Sequence, residues 1–241
     1  MNNIIGLAER AIPQKIINKY SGPGPRYTSY PTALQFDDRF TFEEFTDSYS
    51  DQTVVGEPIS LYVHIPFCQN ICYYCACNKV VTKDKTASRQ YLNYLHQEIK
   101  QLSTVSLTNR PVTQLHWGGG SPTFLDKAEM TELMHMLASH FNLLDDGQRE
   151  YTVEIDPRTV DASDIALLKG LGFNRISMGI QDFDPLVHKA INRLQPYNKV
   201  RPLVDSVRHH DFDSLSFDLI YGLPHQDIDT TKETLNRVIE L

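Results

Sequence analysis

The chain has 241 residues, 23 Lys and Arg against 30 Asp and Glu for a net charge of −7, and 41% hydrophobic with 22% charged residues. That composition describes a globular chain with enough length for a sizeable core in one domain or two, and excludes a disordered one. The acidic balance argues against a broad basic face for nucleic acid, while leaving room for a local basic pocket that meets an anion.

The N-terminal MNNIIGLAERAIPQKIINKY lacks the basic-then-apolar order of a secretory signal, and no apolar run approaches the roughly 20 residues that span a membrane. The expected compartment is the cytoplasm, with no membrane and no nucleic acid as partner. In that compartment four cysteines suit metal or redox chemistry better than disulfides. Residues 1–20 predict a short helical segment interrupted by Pro13. SGPGPRYTSYPT, from Ser21 to Thr32, is too rich in Pro and Gly for a helix or a central strand. It reads either as an ordered arm or as a solvated linker, and Arg26, Tyr27 and Tyr30 are unusual cargo for a spacer.

From residue 59 a rhythm begins. Strands are predicted at Ile59–Ile65, Val112–Trp117, Tyr151–Ile155, Arg175–Ile180 and Leu215–Ile220. Helices are predicted near 84–102, 126–141, 162–170, 184–191, 198–210 and 229–241. Short apolar strands alternating with longer helical patterns mean βαβ units on a parallel sheet, an α/β fold. The division expected is 1–58 for the helix and Pro/Tyr-rich arm and 59–241 for the α/β domain. An uncovered sheet edge is an aggregation liability, so further protein or a partner is expected to cover the last strand.

In parallel α/β folds, sites gather where strands end and helices begin. Each predicted strand leads there to something polar or rich in glycine: the cysteines, then Gly118-Gly119-Gly120-Ser121, Glu154, Gln181-Asp182, and Asp218 with Tyr221-Gly222. Taken singly, Glu154 and Asp218 read as strand-end acids or helix caps, Arg193 as a surface charge, and His209 and His210 as an exposed helix end. One of His116 and Trp117 belongs to the core, because neighbours on a strand alternate. Five such placements in a row point to one site built from all the strands.

Cys68, Cys72, Cys75 and Cys77 fall within ten residues as C-x3-C-x2-C-x-C. Thiolates bind zinc or iron–sulfur clusters, and the two separated pairs usual for zinc are missing. Only Ala76 separates Cys77 from Cys75, and the two side chains are expected to point apart, too far apart for both to bind one compact cluster. Three ligands and one open iron is therefore the better count. The competing reading is a zinc knuckle with His64 as fourth ligand.

C-x3-C-x2-C after a strand with GGGSPT on the next resembles the radical S-adenosylmethionine superfamily. SGPGPRYTSYPTA, LYVHIPFCQNICYYCACNK, QLHWGGGSPT, VEIDPR, FNRISMGIQDF, NRLQ and DLIYGLP together resemble the oxygen-independent coproporphyrinogen III oxidase (dehydrogenase) family within it, from about Tyr20 to Pro224. The resemblance implies a partial (β/α) barrel of the radical S-adenosylmethionine type, preceded by the arm. It also implies an oxidoreductase that decarboxylates two propionates of coproporphyrinogen III to vinyl groups, giving protoporphyrinogen IX in haem biosynthesis. Cys68, Cys72 and Cys75 would hold a [4Fe–4S] cluster that cleaves S-adenosylmethionine to a 5′-deoxyadenosyl radical, fed by an unidentified one-electron donor.

Tyr62 and Tyr74 (where relatives often have Phe) would line the cofactor site. Gly119, Gly120 and Ser121 would meet the methionine part, with Ser121 standing where Thr is common. Glu154 would hold a ribose or amino group. Gln181, Arg193 and Asp218 would complete the pocket, Arg193 through its planar fork to a carboxylate. One or two molecules of S-adenosylmethionine are implied. Cys77 matches a family cysteine needed for activity without being a cluster ligand, and Arg26 is a candidate to meet a propionate. A monomer is expected. Two departures stand out: SGPGPRY has one Gly-Pro more than SGPRY, and family members are much longer, so the rest of the barrel and a C-terminal domain would lie beyond this sequence. The alternative is a haem-binding chaperone of the same superfamily, which usually has an aromatic where Cys77 stands and lacks the YTSYPT arm. A metal-binding scaffold without catalysis is a third reading.

Overall fold

The structure is a computed structural model that describes residues 12–22, 31–49, 56–104 and 109–241. Two compact units divide the chain, Met1–Phe45 and Thr46–Leu241. In the first, α1 (Gln14–Tyr20) starts directly after Pro13, whose ring suits a helix start and not a helix interior. At the start of α2 (Phe42–Tyr49) Thr41 and Glu44 cap each other, Thr41 N donating to Glu44 Oε2 at 2.7 Å and Glu44 N to Thr41 Oγ1 at 3.2 Å. Arg26, Tyr27 and Tyr30 lie outside the described residues.

The second unit carries the sheet. Its strands are β1 (Ile59–Ile65), β2 (Phe67–Cys68), β3 (Val80–Val81), β4 (Pro111–Gly119), β5 (Asn142–Leu143), β6 (Glu150–Ile155), β7 (Arg175–Gln181) and β8 (Ser214–Leu219). The order is β1-β4-β6-β7-β8, with β5 also paired to β4 and β2 paired separately to β3. All these pairings are parallel. The sheet therefore ends at β1 and β8 and forms an open arc, a partial barrel. Crossovers run through α3 (Thr86–Leu102), α4 (Lys127–His140), α5 (Ala162–Gly170), α6 (Pro185–Ala190) and α7 (Tyr197–His209), and α8 (Ile228–Glu240) follows β8. Among the described residues no helix is long and apolar enough to cross a membrane.

Strand alternation assigns the two faces. Val63, Ile65, Leu115, Trp117, Val153, Ile155, Ile176, Met178 and Ile180 form one buried apolar layer. Helical stripes cover it: Leu92 and Ile99 from α3, Met130, Leu133 and Leu137 from α4, Ile165 and Leu168 from α5, and Val200, Val204 and Val207 from α7. Trp117 meets Phe173 edge to face at 4.9 Å. Reciprocal N-terminal caps set the entries of α4 (Asp126 with Glu129), α5 (Asp161 with Asp164) and α8 (Asp227 with Thr230). The opposite face is polar. Tyr62 pairs with His116, Glu154 with Ser177 and Gly179 with Asp218, so these side chains share the concave side of the arc.

Candidate active site

The cysteine loop begins and ends in a ladder. Phe67 and Cys68 pair with Val80 and Val81, Val80 N donates to Pro66 O at 2.7 Å and Thr82 N to Cys68 O at 2.9 Å. The loop between is thus closed at its base, and Lys79 braces it by donating Nζ to Cys75 O at 2.9 Å. A second set of bonds docks it to the turn after α6: Tyr73 N donates to Ile191 O at 3.1 Å and Asn192 Nδ2 to Ile71 O at 2.7 Å. Next to the loop lies the glycine run. Gly119 has φ +120°, and a Cβ on it would lie 2.8 Å from Ile65 O. A Cβ on Gly120 would lie 2.6 Å from Pro66 O and 2.8 Å from Phe67 O, so only glycine lets these two backbones meet.

One cavity joins these pieces. It is lined by Cys68, Cys72, Cys75 and Cys77, by Tyr74, Gly119, Gly120 and Ser121, and by Glu154, Gln181, Arg193 and Asp218. Tyr62 is not in that lining. It is 60% exposed, stacks on His116 at 5.6 Å, and reaches the cavity through His116 Nε2, which lies 2.9 Å from Glu154 Oε1. Arg26 is outside the described residues. Asp218 accepts from Ser177 Oγ at 3.1 Å. Gln181 takes φ +68° where the register between β7 and β8 shifts, a conformation costly for a residue with a side chain.

Asn70, Lys79, Asp156, Arg158 and Ser177 also line the cavity without having been singled out from the sequence. The strongest signal missed is Asp156-Pro157-Arg158. Asp156 accepts from Arg158 Nη2 at 2.6 Å and Nε at 2.9 Å, and Arg193 Nη2 lies 3.5 Å away. Burial would raise the Asp156 pKa, but its bonds to Arg158 and the charge of Arg193 outweigh burial and hold it below the ordinary carboxylate value. Arg193 is no surface charge: it is 7% exposed, because Asp156, Gly179 O at 2.8 Å and Gln195 Oε1 at 3.1 Å supply its partners. Its fork is therefore engaged, and a ligand carboxylate would be met by exchanging one of these bonds.

Two expectations about the thiols need correction. Residues two apart on an extended backbone share a face, and the chain bends at Cys77, so alternation does not point the Cys75 and Cys77 side chains apart; both line the cavity. The zinc knuckle loses its fourth ligand, since His64 Nε2 donates to Asn78 O at 2.8 Å and Nδ1 accepts from Tyr62 Oη at 3.0 Å. Among the described residues no three His, Cys, Asp or Glu side chains converge on a point where a single ion would sit. Burial, and then the neighbouring thiols and Asp156, push the Cys68 thiol up to about 11. Burial likewise raises Cys77 and Tyr74.

The sequence profile of the Radical SAM superfamily matches residues 62–238, most of the chain. The chain belongs to the radical SAM superfamily. Membership implies a [4Fe–4S] cluster and S-adenosylmethionine, and the cavity suits both. Soft sulfur donors line one side of it, side-chain-free backbone at Gly119 and Gly120 forms its wall, and opposite charges at Glu154, Asp218 and Arg193 match the two ends of an amino acid.

Among radical SAM proteins, the chain is 50% identical over 226 residues to the oxygen-independent coproporphyrinogen III oxidase of Pseudomonas aeruginosa, covering 94% of this chain and 49% of that protein. It is 44% identical to the Escherichia coli enzyme of that name, over 94% of this chain and 48% of that one. The solved structure of coproporphyrinogen III oxidase from Escherichia coli superposes with a TM-score of 0.86 at 41% identity, covering 94% of this chain and 50% of that one. The chain thus spans about half the length of the curated relatives it matches. A radical S-adenosylmethionine methyltransferase from Kitasatospora setae shares the fold, with a TM-score of 0.51 at 12% identity over 77% of this chain and 34% of that one.

Proposed function

We propose that this chain carries the cluster and cofactor site of an oxygen-independent coproporphyrinogen III oxidase, which turns two propionates of coproporphyrinogen III into vinyl groups and yields protoporphyrinogen IX. The observation behind this is the meeting of Cys68, Cys72 and Cys75 with Glu154, Gln181, Arg193 and Asp218 around one cavity. The names of the relatives at 50% and 44% identity support the substrate and argue against the haem-chaperone alternative.

In this reading Cys68, Cys72 and Cys75 hold three irons and leave one open. When bound, the cluster and one or two molecules of S-adenosylmethionine supply one-electron cleavage of a sulfonium and removal of a hydrogen atom from the substrate. The protein's residues do the placing. Gly119 and Gly120 admit the amino-acid end of the cofactor to backbone, Glu154 and Asp218 take its donors, and Arg193 supplies positive charge to its carboxylate. Ser121, Gln181 and Arg193 are all less than a tenth exposed and keep water from the floor of the cavity. Tyr74 flanks the cysteines, and Tyr62 supports Glu154 through His116. Cys77, exposed at the rim of the loop, faces the substrate side, and Arg26 serves a propionate. A one-electron donor docks from outside, and the protein acts as a monomer in the cytoplasm.

The test is anaerobic reconstitution with iron and sulfide. About four irons per chain and an EPR signal that shifts with S-adenosylmethionine are expected. Incubation with coproporphyrinogen III, reductant and cofactor should then give vinyl product. A single tightly held zinc with no such signal overturns the whole reading. A shifted signal without product overturns the substrate assignment for this chain while keeping the cofactor site.

A further inference from the structure

We infer that Arg158, clamped by Asp156, is a positioning residue that donates to the sulfur of Cys72 and thereby raises the reduction potential of the cluster; this rests on the ligand assignment proposed above. The guanidinium is fixed before any ligand arrives. Arg158 follows Asp156 with Pro157 between them, and Asp156 Oδ1 accepts both its backbone N–H at 3.0 Å and its Nε at 2.9 Å, while Oδ2 accepts Nη2 at 2.6 Å. The planar fork can then point only where the carboxylate leaves it room. Its Nη2 lies 3.5 Å from Cys72 Sγ, and its Nη1 lies 3.4 Å from Asn192 O.

Cys72 is singled out among the thiols. It is buried, and Arg193 Nη1 approaches the same sulfur at 3.6 Å. Among the described residues neither Cys68 nor Cys75 accepts from a guanidinium. Asp156 touches both arginines, so one carboxylate sets both donors. Hydrogen bonds to a ligand sulfur stabilise the more negative, reduced form of a cluster and raise its potential. Arg193 also binds Gly179 O and Gln195, whereas Arg158 makes its remaining contacts to Asp156 and to the turn that holds the cysteine loop. Bonds that do not involve the Arg158 side chain also hold the loop: the ladder at Cys68, the Tyr73–Ile191 bond and the Asn192–Ile71 bond. Removing the guanidinium should therefore alter the sulfur's electrostatics while leaving the ligand set in place.

The test compares wild type, Arg158→Gln and Arg158→Lys after anaerobic reconstitution of the whole chain. Iron content and circular dichroism are measured first, then the midpoint potential by titration with EPR detection. Equal iron in all three is expected, with a lower potential in Arg158→Gln and an intermediate one in Arg158→Lys, which keeps the charge and loses the fork. Arg158→Gln with full iron and the wild-type potential overturns the inference. So does a folded Arg158→Gln protein that loses its iron, which would make Arg158 a loop anchor. Wild type without a cluster overturns the ligand assignment itself.

Discussion

His116 Nε2 lies 2.9 Å from Glu154 Oε1, so a histidine on β4 steadies the acid that β6 presents to the cavity. The same histidine ring stacks on Tyr62, whose hydroxyl meets His64, and His64 in turn holds Asn78 of the cysteine loop. The concave face thus links the cysteine loop to Glu154 through His64, Tyr62 and His116, by hydrogen bonds and one ring stack. We expect His116→Phe to keep the stack on Tyr62 and to free Glu154. Both partners are partly exposed, so the loss should be modest: a two- to fivefold rise in the Kd for S-adenosylmethionine, the effect of about 0.5–1 kcal/mol. Calorimetry on reconstituted protein measures it, and an unchanged Kd would show that Glu154 needs no such support.

Gly120 offers a test of the wall between the cysteine loop and β4. An alanine methyl there would meet backbone oxygens of Pro66 and Phe67, which cannot rotate away. Gly120→Ala should lower stability by about 1–3 kcal/mol. Gly170→Ala is the control: it ends α5 with nothing within 4 Å of a Cβ, and should be neutral or mildly stabilising. Urea denaturation of both variants decides, and an equal loss in the two would dismiss the close-approach argument.

How legible the site was depended on the range of the forces involved. Ile59–Ile65 was readable as a strand to the residue, since its alternation is a local signal. The two-residue strands at Phe67–Cys68 and Val80–Val81 were not, because a pair this short has no period, yet they close the cysteine loop. The burial of Arg193 depends on Asp156 and Gly179, which are distant in sequence, so its type alone suggested a surface charge. Asp156 and Arg158 were nearer to view, lying in the VEIDPR run. The expectation that Cys75 and Cys77 diverge misapplied strand alternation, because residues two apart share a face, and both cysteines line the one cavity.

Those cysteines separate experimentally. Cys72 is buried beneath two arginines, whereas Cys77 is exposed. Cys72→Ala should abolish the cluster, and full iron content in that variant would sink its assignment as a ligand. Cys77→Ser should keep the iron and the EPR signal while turnover of the porphyrinogen falls at least tenfold. Loss of iron from Cys77→Ser would make it a fourth ligand and leave no open iron.

His188 gives the fold a pH dependence of definite sign. It is 3% exposed, and its Nε2 donates to Asp182 O at 2.7 Å. Burial, the largest influence, holds its pKa below the ordinary 6.5 despite the pull of Asp182. Well above pH 6.5 neither the folded nor the unfolded chain carries the proton, and His188 contributes no slope. As pH falls below 6.5 the unfolded chain takes up a proton that the folded one refuses, so stability drops until the folded pKa is reached, by at most about 1.4 kcal/mol per pH unit. Urea midpoints between pH 7.5 and about pH 5 should therefore fall more steeply for wild type than for His188→Gln, whose amide can still donate to Asp182 O without titrating. Identical slopes in the two proteins would mean that the fold accepts the imidazolium.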